Sequence, residues 1–229
     1  MTYKTILHDT MIEGIMPNQG WVWPEHDVMF NYFATEIVKY KRGYQDYCRD
    51  FKVAIQAGGH CGVFPRIMSS VFETVYTFEP DGYSFHCLVN NCQLDNIKKF
   101  NAALGAKHEM VYQKYRGQHN VGVNNYGRPI EGQVPIMEVR DVTHIDEIAL
   151  VNIPQIRIDD LGLQNCNLIH LDVEGYEGFI VEGAKETIRE FKPVIIVETF
   201  TPEAEDFIRS IGYDILQHTN MHDVVFICK

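Results

Sequence analysis

The sequence predicts an α/β fold, a mostly parallel sheet with helices on both faces, on three observations. Short apolar runs alternate with amphipathic stretches from residue 51 onward. A glycine-rich turn follows the first of these runs directly, and acidic residues close the second and the fourth. Strands alternating with helices of these lengths imply parallel βαβ units joined by right-handed crossovers.

Taken in order, residues 14–24 hold two Pro, two Gly and both tryptophans, Trp21 and Trp23, and read as a loop with large apolar side chains packed on the domain. Asp27 is placed to cap a helix carrying Met29, Phe30, Phe33, Ile37 and Tyr40 at helical spacing, and Gly43 to end it. Residues 51–57 form a buried strand, 62–72 a helix, 74–78 a second strand and 83–94 a second helix. A short third strand is expected over 100–104. Residues 106–150 break the rhythm with Gly, Asn and Tyr and a strand-like stretch at 134–139, so they read as an inserted hairpin or loop. The alternation resumes with a strand at 167–171, a helix over 176–190, a strand at 194–197 and a helix over 202–211. A closing pair near 213–218 and 223–228, joined by a polar turn, is expected to be antiparallel. The division is thus an N-terminal loop and helix over 1–50, packed on or capping a main domain over 51–229.

A chain of 229 residues with 45% hydrophobic and 22% charged side chains can bury one large core. Its net charge of −11 argues against broad binding to nucleic acid or to an anionic membrane, which rests on clustered Lys and Arg. The six cysteines form no C-x-x-C pair, which argues against a structural zinc site, and no metal ligand set is assigned. With no signal-like h-region and no apolar run of about 18 residues, the expectation is a cytoplasmic, reducing setting.

Three constellations carry chemistry. In Gln56-Ala57-Gly58-Gly59-His60-Cys61-Gly62 a strand runs into glycines and then a helix, which lets backbone approach a ligand closely. This is G-G-x-x-G, not the G-x-G-x-x-G dinucleotide fingerprint. Glu79 directly follows the second strand, where nucleotide sites of this type place an acid to accept hydrogen bonds from both ribose hydroxyls. Asp81 nearby could instead cap the next helix. Asp172 and Glu174 close the fourth strand, at the edge where open parallel sheets bind ligands. Two such acids can orient a hydroxyl, act as general base or share a divalent ion with a neighbour; alternatively they satisfy backbone amides and begin a helix.

The run Gln56 to Gly62, Phe78-Glu79-Pro80, Asn101-Ala102-Ala103-Leu104-Gly105, Ile158-Asp159-Asp160-Leu161, Leu171-Asp172-Val173-Glu174-Gly175 with Glu177, Gly183-Ala184, and Lys192-Pro193-Val194 to Glu198 together resemble the FkbM-type methyltransferases in order and spacing. The resemblance spans about residues 52–200. It implies a Rossmann-like class I methyltransferase fold, a seven-stranded sheet with one antiparallel strand, and S-adenosylmethionine over its carboxyl edge. It implies that Gln56, Gly58, Gly59, His60 and Gly62 cradle the cofactor, that Glu79 holds its ribose, and that Asn101 and Ala102 lie beside adenine. Asp172, supported by Glu174 or Glu198, takes the catalytic position, and the acceptor is a hydroxyl on a sugar, glycan or other small molecule. One departure stands out: the family pattern carries Asp where this chain has Gln56, and Ala where it has Gly59. The alternative is therefore a binding module on a catalytically degenerate copy of the fold. A nicotinamide dehydrogenase or a P-loop nucleotidase would need motifs that are missing. In the insertion His119, Asn124, Asn125, Tyr126 and Arg128 are acceptor-loop candidates, His144 is a possible base, and His170 reads as a core side chain. Oligomeric state is not encoded in any of these features.

Overall fold

The computed structural model describes residues 2–6, 15, 17, 20–115, 125–127, 152–198, 200–218 and 223–229. Strands β1 (Tyr3–Ile6) and β2 (Trp21–Pro24) pair antiparallel, ahead of helix α1 (Phe30–Tyr47). There follow β3 (Val53–Ala57), α2 (Val63–Ser69), β4 (Thr74–Phe78), α3 (Gly82–Asn91) and β5 (Ile97–Phe100). Then come β6 (Ala103–Leu104), β7 (Glu109–Tyr115), β8 (Asn125–Gly127) and β9 (Asn152–Ile156), with a 3-10 turn at Ile158–Asp160. The chain closes with β10 (Leu168–Leu171), α4 (Glu177–Glu182), α5 (Lys185–Phe191), β11 (Val194–Val197), α6 (Pro202–Ser210), β12 (Tyr213–His218) and β13 (Val224–Cys228).

The main sheet has seven strands in the order β12-β13-β11-β10-β3-β4-β5. Only β13 runs backwards, antiparallel to both β11 and β12. Strand order reverses between β3 and β10, which creates the switch point where ligands sit in such sheets. This is the Rossmann-like architecture with one reversed strand.

Two-residue alternation sorts the apolar strands onto two faces. Ala54, Leu168, Ile196 and Val225 join one core with Trp21, Trp23, Tyr44, Phe64 and Ile67 of the N-terminal segment and α2. Ile55, Ile169, Ile195 and Phe226 join the other, under α4, α5 and α6, with Ile180, Ile188 and Ile208. The N-terminal segment thus shares a core with the sheet, and its tryptophans are fully buried. A second sheet, ordered β6-β9-β7-β8, stands beside the first.

Several expectations need correction. Both tryptophans lie in a strand, β2, rather than a loop. Asp27 does not cap α1, whose N-cap is Met29; its Oδ1 accepts from Trp23 Nε1 and Met29 N, both at 2.8 Å. Gly43 does not end the helix, because burial of Tyr44 and packing of the Tyr47 ring over Gly43 outweigh the ~1 kcal/mol that a mid-helix glycine costs. The third strand is Ile97–Phe100, not 100–104. Asn101 turns the chain there by donating to the Glu79 and Pro80 carbonyls at 2.8 and 3.1 Å, so Ala103–Leu104 enters the other sheet. The helix over 176–190 is two helices, broken where Gly183 meets the Gly105 carbonyl so closely that a Cβ would lie 2.0 Å from its oxygen. The stretch 134–139 lies outside the described residues. All six cysteines are free thiols. Among the described residues no helix is long and apolar enough to cross a membrane.

Candidate active site

Sheet register builds the site. Phe78 pairs with Ala57, Ala57 with Leu171, Leu171 with Val197, and Val197 with Val224. On the parallel strands the next residues are Glu79, Gly58, Asp172 and Glu198. Because β13 runs backwards, the residue at the same edge is the one before it, Asp223. One row along the sheet edge therefore reads acid, glycine, acid, acid, acid. All five residues line one cavity of ≈ 330 Å³, together with Tyr32, Phe33 and Tyr40 on one side and Ala102, Leu104 and Gln155 on another. Among the described residues, no Lys or Arg lines it.

Gly58 is held at φ +83°, and a Cβ there would stand 1.9 Å from the Asp172 carbonyl oxygen, so only glycine lets β3 and β10 meet at this edge. Glu79 is buried, with Oε2 accepting from His60 N and Oε1 from Asp81 N, each at 2.7 Å. Burial, then the Asp81 charge, raises its pKa to about 8 against the opposing pull of these two amides. Asp81, not Glu79, caps α3 by accepting from Tyr83 N and Ser84 N. Asp172 is also pushed to about 8, first by burial and then by the charges of Glu198, Asp223, Glu174 and Glu177. Glu174 is exposed, sits at φ +54°, and has its pKa raised by the same two effects.

One carboxylate oxygen from each of Asp172, Glu174 and Glu198 lies within 4.8 Å of the others. A divalent cation binds oxygens at such spacing, but exposed carboxylates commonly stand this close without one, and no metal is assigned to them.

His60 lines the cavity at φ +46°, its ring packed against Trp23 and Phe33, with Nε2 3.9 Å from Asp27 Oδ2. Its Nδ1 is buried without a hydrogen-bond partner, and burial lowers its pKa, which keeps the ring neutral. His170 is a satisfied core side chain, its Nδ1 2.8 Å from Tyr44 Oη and its pKa lowered to about 3 by burial.

Of the residues singled out in the sequence, Gly58, His60, Glu79, Ala102, Asp172, Glu174 and Glu198 meet at the cavity. Gln56, Gly59, Gly62 and Asn101 support it from outside. Gln56 is fully buried, donates through Nε2 to the Ala57 and Gly58 carbonyls at 3.1 and 2.7 Å, and accepts from Thr77 Oγ1 at 2.5 Å. Gly59 and Gly62 pack against Leu88 and Cys92 at α3. Asn101 is exposed and braces the Glu79 backbone. His119, Asn124, Arg128 and His144 lie outside the described residues, and of Asn125 and Tyr126 only the backbone, in β8, is described. Tyr40, which the sequence marks only as part of a helix's apolar stripe, and Asp223 also line the cavity. The signal for Asp223 was available, since an antiparallel pairing of β11 with β13 sets it beside Glu198.

Among curated proteins none matches the chain significantly. Solved structures similar to it include a methyltransferase FkbM from Methylobacillus flagellatus KT, at 16% identity and TM-score 0.49, matching 86% of this chain and 54% of that one. This chain thus spans about half the length of that protein. A ribosomal protein L11 methylase from Lactobacillus delbrueckii subsp. bulgaricus matches at 9% identity and TM-score 0.49, over 85% of this chain and 78% of its own. A precorrin-6y C5,15-methyltransferase from Geobacter metallireducens GS-15 matches at 12% and 0.43, over 82% and 86%. At these identities and TM-scores the structures carry no functional argument. The methyltransferase FkbM domain model, by contrast, matches residues 66–222, well over half of the sequence and most of the acid row. The chain belongs to the FkbM methyltransferase family.

Proposed function

We propose that this methyltransferase uses S-adenosylmethionine and methylates a hydroxyl oxygen on a sugar, glycan or other small molecule. Residues 51–229 would form the catalytic domain, with the 1–50 segment closing one side of the cavity. The observation that carries this reading is the edge row of Glu79, Gly58, Asp172 and Glu198 lining one cavity.

The donor set suits the cofactor. Glu79 offers a fixed two-oxygen acceptor to a ribose diol, its orientation held by the His60 and Asp81 amides. Gly58 presents its backbone at the cavity wall, and Ala102, Leu104 and Phe78 supply an apolar slot for a base. A cavity rich in carboxylates favours a positively charged ligand. When bound, S-adenosylmethionine supplies a methyl group on a sulfonium sulfur, which keeps the C–S electron pair and leaves as a neutral thioether. Asp172 would orient the acceptor hydroxyl and take its proton as the new O–C bond forms, Glu198 and Glu174 raising its proton affinity. The remaining contribution is positioning and exclusion of water by the Tyr32 and Phe33 side.

Gln56 does not favour a binding-only module. Its amide ties the glycine turn together from beneath and does not line the cavity.

Calorimetric titration with S-adenosylmethionine, S-adenosylhomocysteine and NAD tests the reading. Both sulfur ligands should bind and NAD should not, and Glu79→Ala should weaken both by about 10–100-fold, the worth of one or two charge-assisted hydrogen bonds. NAD binding as tight as the sulfur ligands would sink the proposal.

A further inference from the structure

Two residues outside the stretch matched to the family, Tyr40 and Asp223, meet in the wall of the cavity. They lie 183 positions apart, and Tyr40 Oη donates to Asp223 Oδ2 at 2.8 Å. The tyrosine has little freedom. Its ring stands edge-on to Phe64 at 4.7 Å and stacks on His170 at 5.7 Å, and His170 is in turn locked by the Tyr44 hydroxyl. An aromatic scaffold from α1 thus anchors a carboxylate delivered by the reversed strand β13.

Asp223 is only 5% exposed. Burying a carboxylate beside other carboxylates is costly, and Tyr40, a neutral hydroxyl, offsets part of that cost. Its place in the row is also specific. Strands lie about 4.8 Å apart, so Asp223 stands two strand spacings, roughly 10 Å at the backbone, from Asp172, with Glu198 between them. Side chains converging from two such positions bracket a group the size of a six-membered ring. Glu79 lies on the other side of Gly58, so Asp223 belongs to the half of the cavity away from the ribose position.

We propose that Asp223 is an acceptor-recognition residue that takes a hydrogen bond from a second hydroxyl of the acceptor ring, while Asp172 takes that of the hydroxyl being methylated, and that Tyr40 is its positioning residue. This rests on the hydroxyl-acceptor reading above and narrows it to rings carrying at least two hydroxyls. A site built to bind a hydroxyl rejects the analogue lacking it far more strongly than an apolar pocket rejects a methylene.

The test measures methyl transfer from tritium-labelled S-adenosylmethionine to methyl glycopyranosides and to their singly deoxygenated analogues, with S-adenosylhomocysteine affinity determined in parallel. Wild type should prefer an intact glycoside over one deoxy analogue by at least about tenfold in kcat/KM. Asp223→Asn should lose that preference through an acceptor KM raised about tenfold, with kcat and S-adenosylhomocysteine affinity near wild type. Tyr40→Phe should move the same way by about threefold, and it decides the matter if Asp223→Asn does not fold. Undiminished discrimination in the folded variants, or a fall in S-adenosylhomocysteine affinity that matches the fall in kcat/KM, overturns the proposal. A wild type that binds S-adenosylhomocysteine yet methylates no glycoside overturns the ring-hydroxyl acceptor together with this assignment. Failure to bind S-adenosylhomocysteine counts against the proposed function itself.

Discussion

Glu79 and Asp172 flank the same glycine from the strands on either side of it, and burial pushes both to a pKa of about 8, yet their surroundings differ in kind. Glu79 receives two backbone amides at 2.7 Å, which fix its orientation and partly compensate its charge. Asp172 faces Glu198, Asp223, Glu174 and Glu177, all of its own sign. In the proposed reading the first is a preformed binding group. The other is electrostatically frustrated and gains from anything that brings it a proton or a positive charge. Binding groups are best held rigid, whereas a general base must have a proton affinity near working pH, and like-charged neighbours supply it.

The largest effect expected from this contrast is on turnover. Asp172→Asn should lower kcat by about 10²–10⁴-fold, the usual worth of a general base. S-adenosylhomocysteine binding should stay close to wild type, and the melting temperature should rise above about pH 8, where wild-type Asp172 is ionised and the substitution removes a repelling charge. Full activity in this variant would shift the proton acceptor to another carboxylate of the row.

A second measurement probes the support beneath Gly58. Gln56→Asp installs the residue of the family pattern but sets a carboxylate against the Ala57 and Gly58 carbonyls that the amide now satisfies. Leaving those acceptors unmatched should cost about 1–3 kcal/mol, lowering the melting temperature by roughly 2–4 °C per kcal/mol in a chain of this size. An unchanged melting curve would show that the turn does not depend on Gln56.

The smallest effect concerns pH. With their pKa values raised, Glu79 and Asp172 are largely protonated below about 8 and ionise as pH rises through it. A cationic ligand prefers the ionised site, so S-adenosylmethionine should bind more tightly as pH goes from 6.5 to 9, by at most about tenfold per unit for one coupled proton. S-adenosylhomocysteine, lacking the sulfonium charge, should change less. Parallel pH curves for the two ligands would mean that the row does not sense the sulfonium.

Much of this architecture is legible in the sequence, because buried parallel strands are local signals. Thr74–Phe78 and Val194–Val197 are compact apolar runs bounded by polar residues, and their bounds agree with expectation. Elements whose limits depend on distant partners are not. Ile97–Phe100 is an edge strand carrying two lysines, so no apolar run marks it, and its end is set by a side chain reaching back to Glu79 and Pro80. The helix break at Gly183 depends on the approach of Gly105, far off in sequence. In the site, Glu79 and Asp172 stand at carboxyl ends of parallel strands, where acids are expected to act. Asp223 precedes a strand, and only the reversed direction of β13 brings it to the same edge.

That reversal separates two duties along the chain. The groups proposed to hold the cofactor hang from β3, β4 and the loop after β5, whereas Asp223 hangs from the entrance to β13 and Tyr40 from a helix before the first parallel strand. Substitutions at Tyr40 that keep its ring against Phe64 and His170, and substitutions at Asp223, can therefore be explored apart from Gly58 and Glu79. A grafting experiment on this scaffold has two short addresses at which to retune the choice of acceptor.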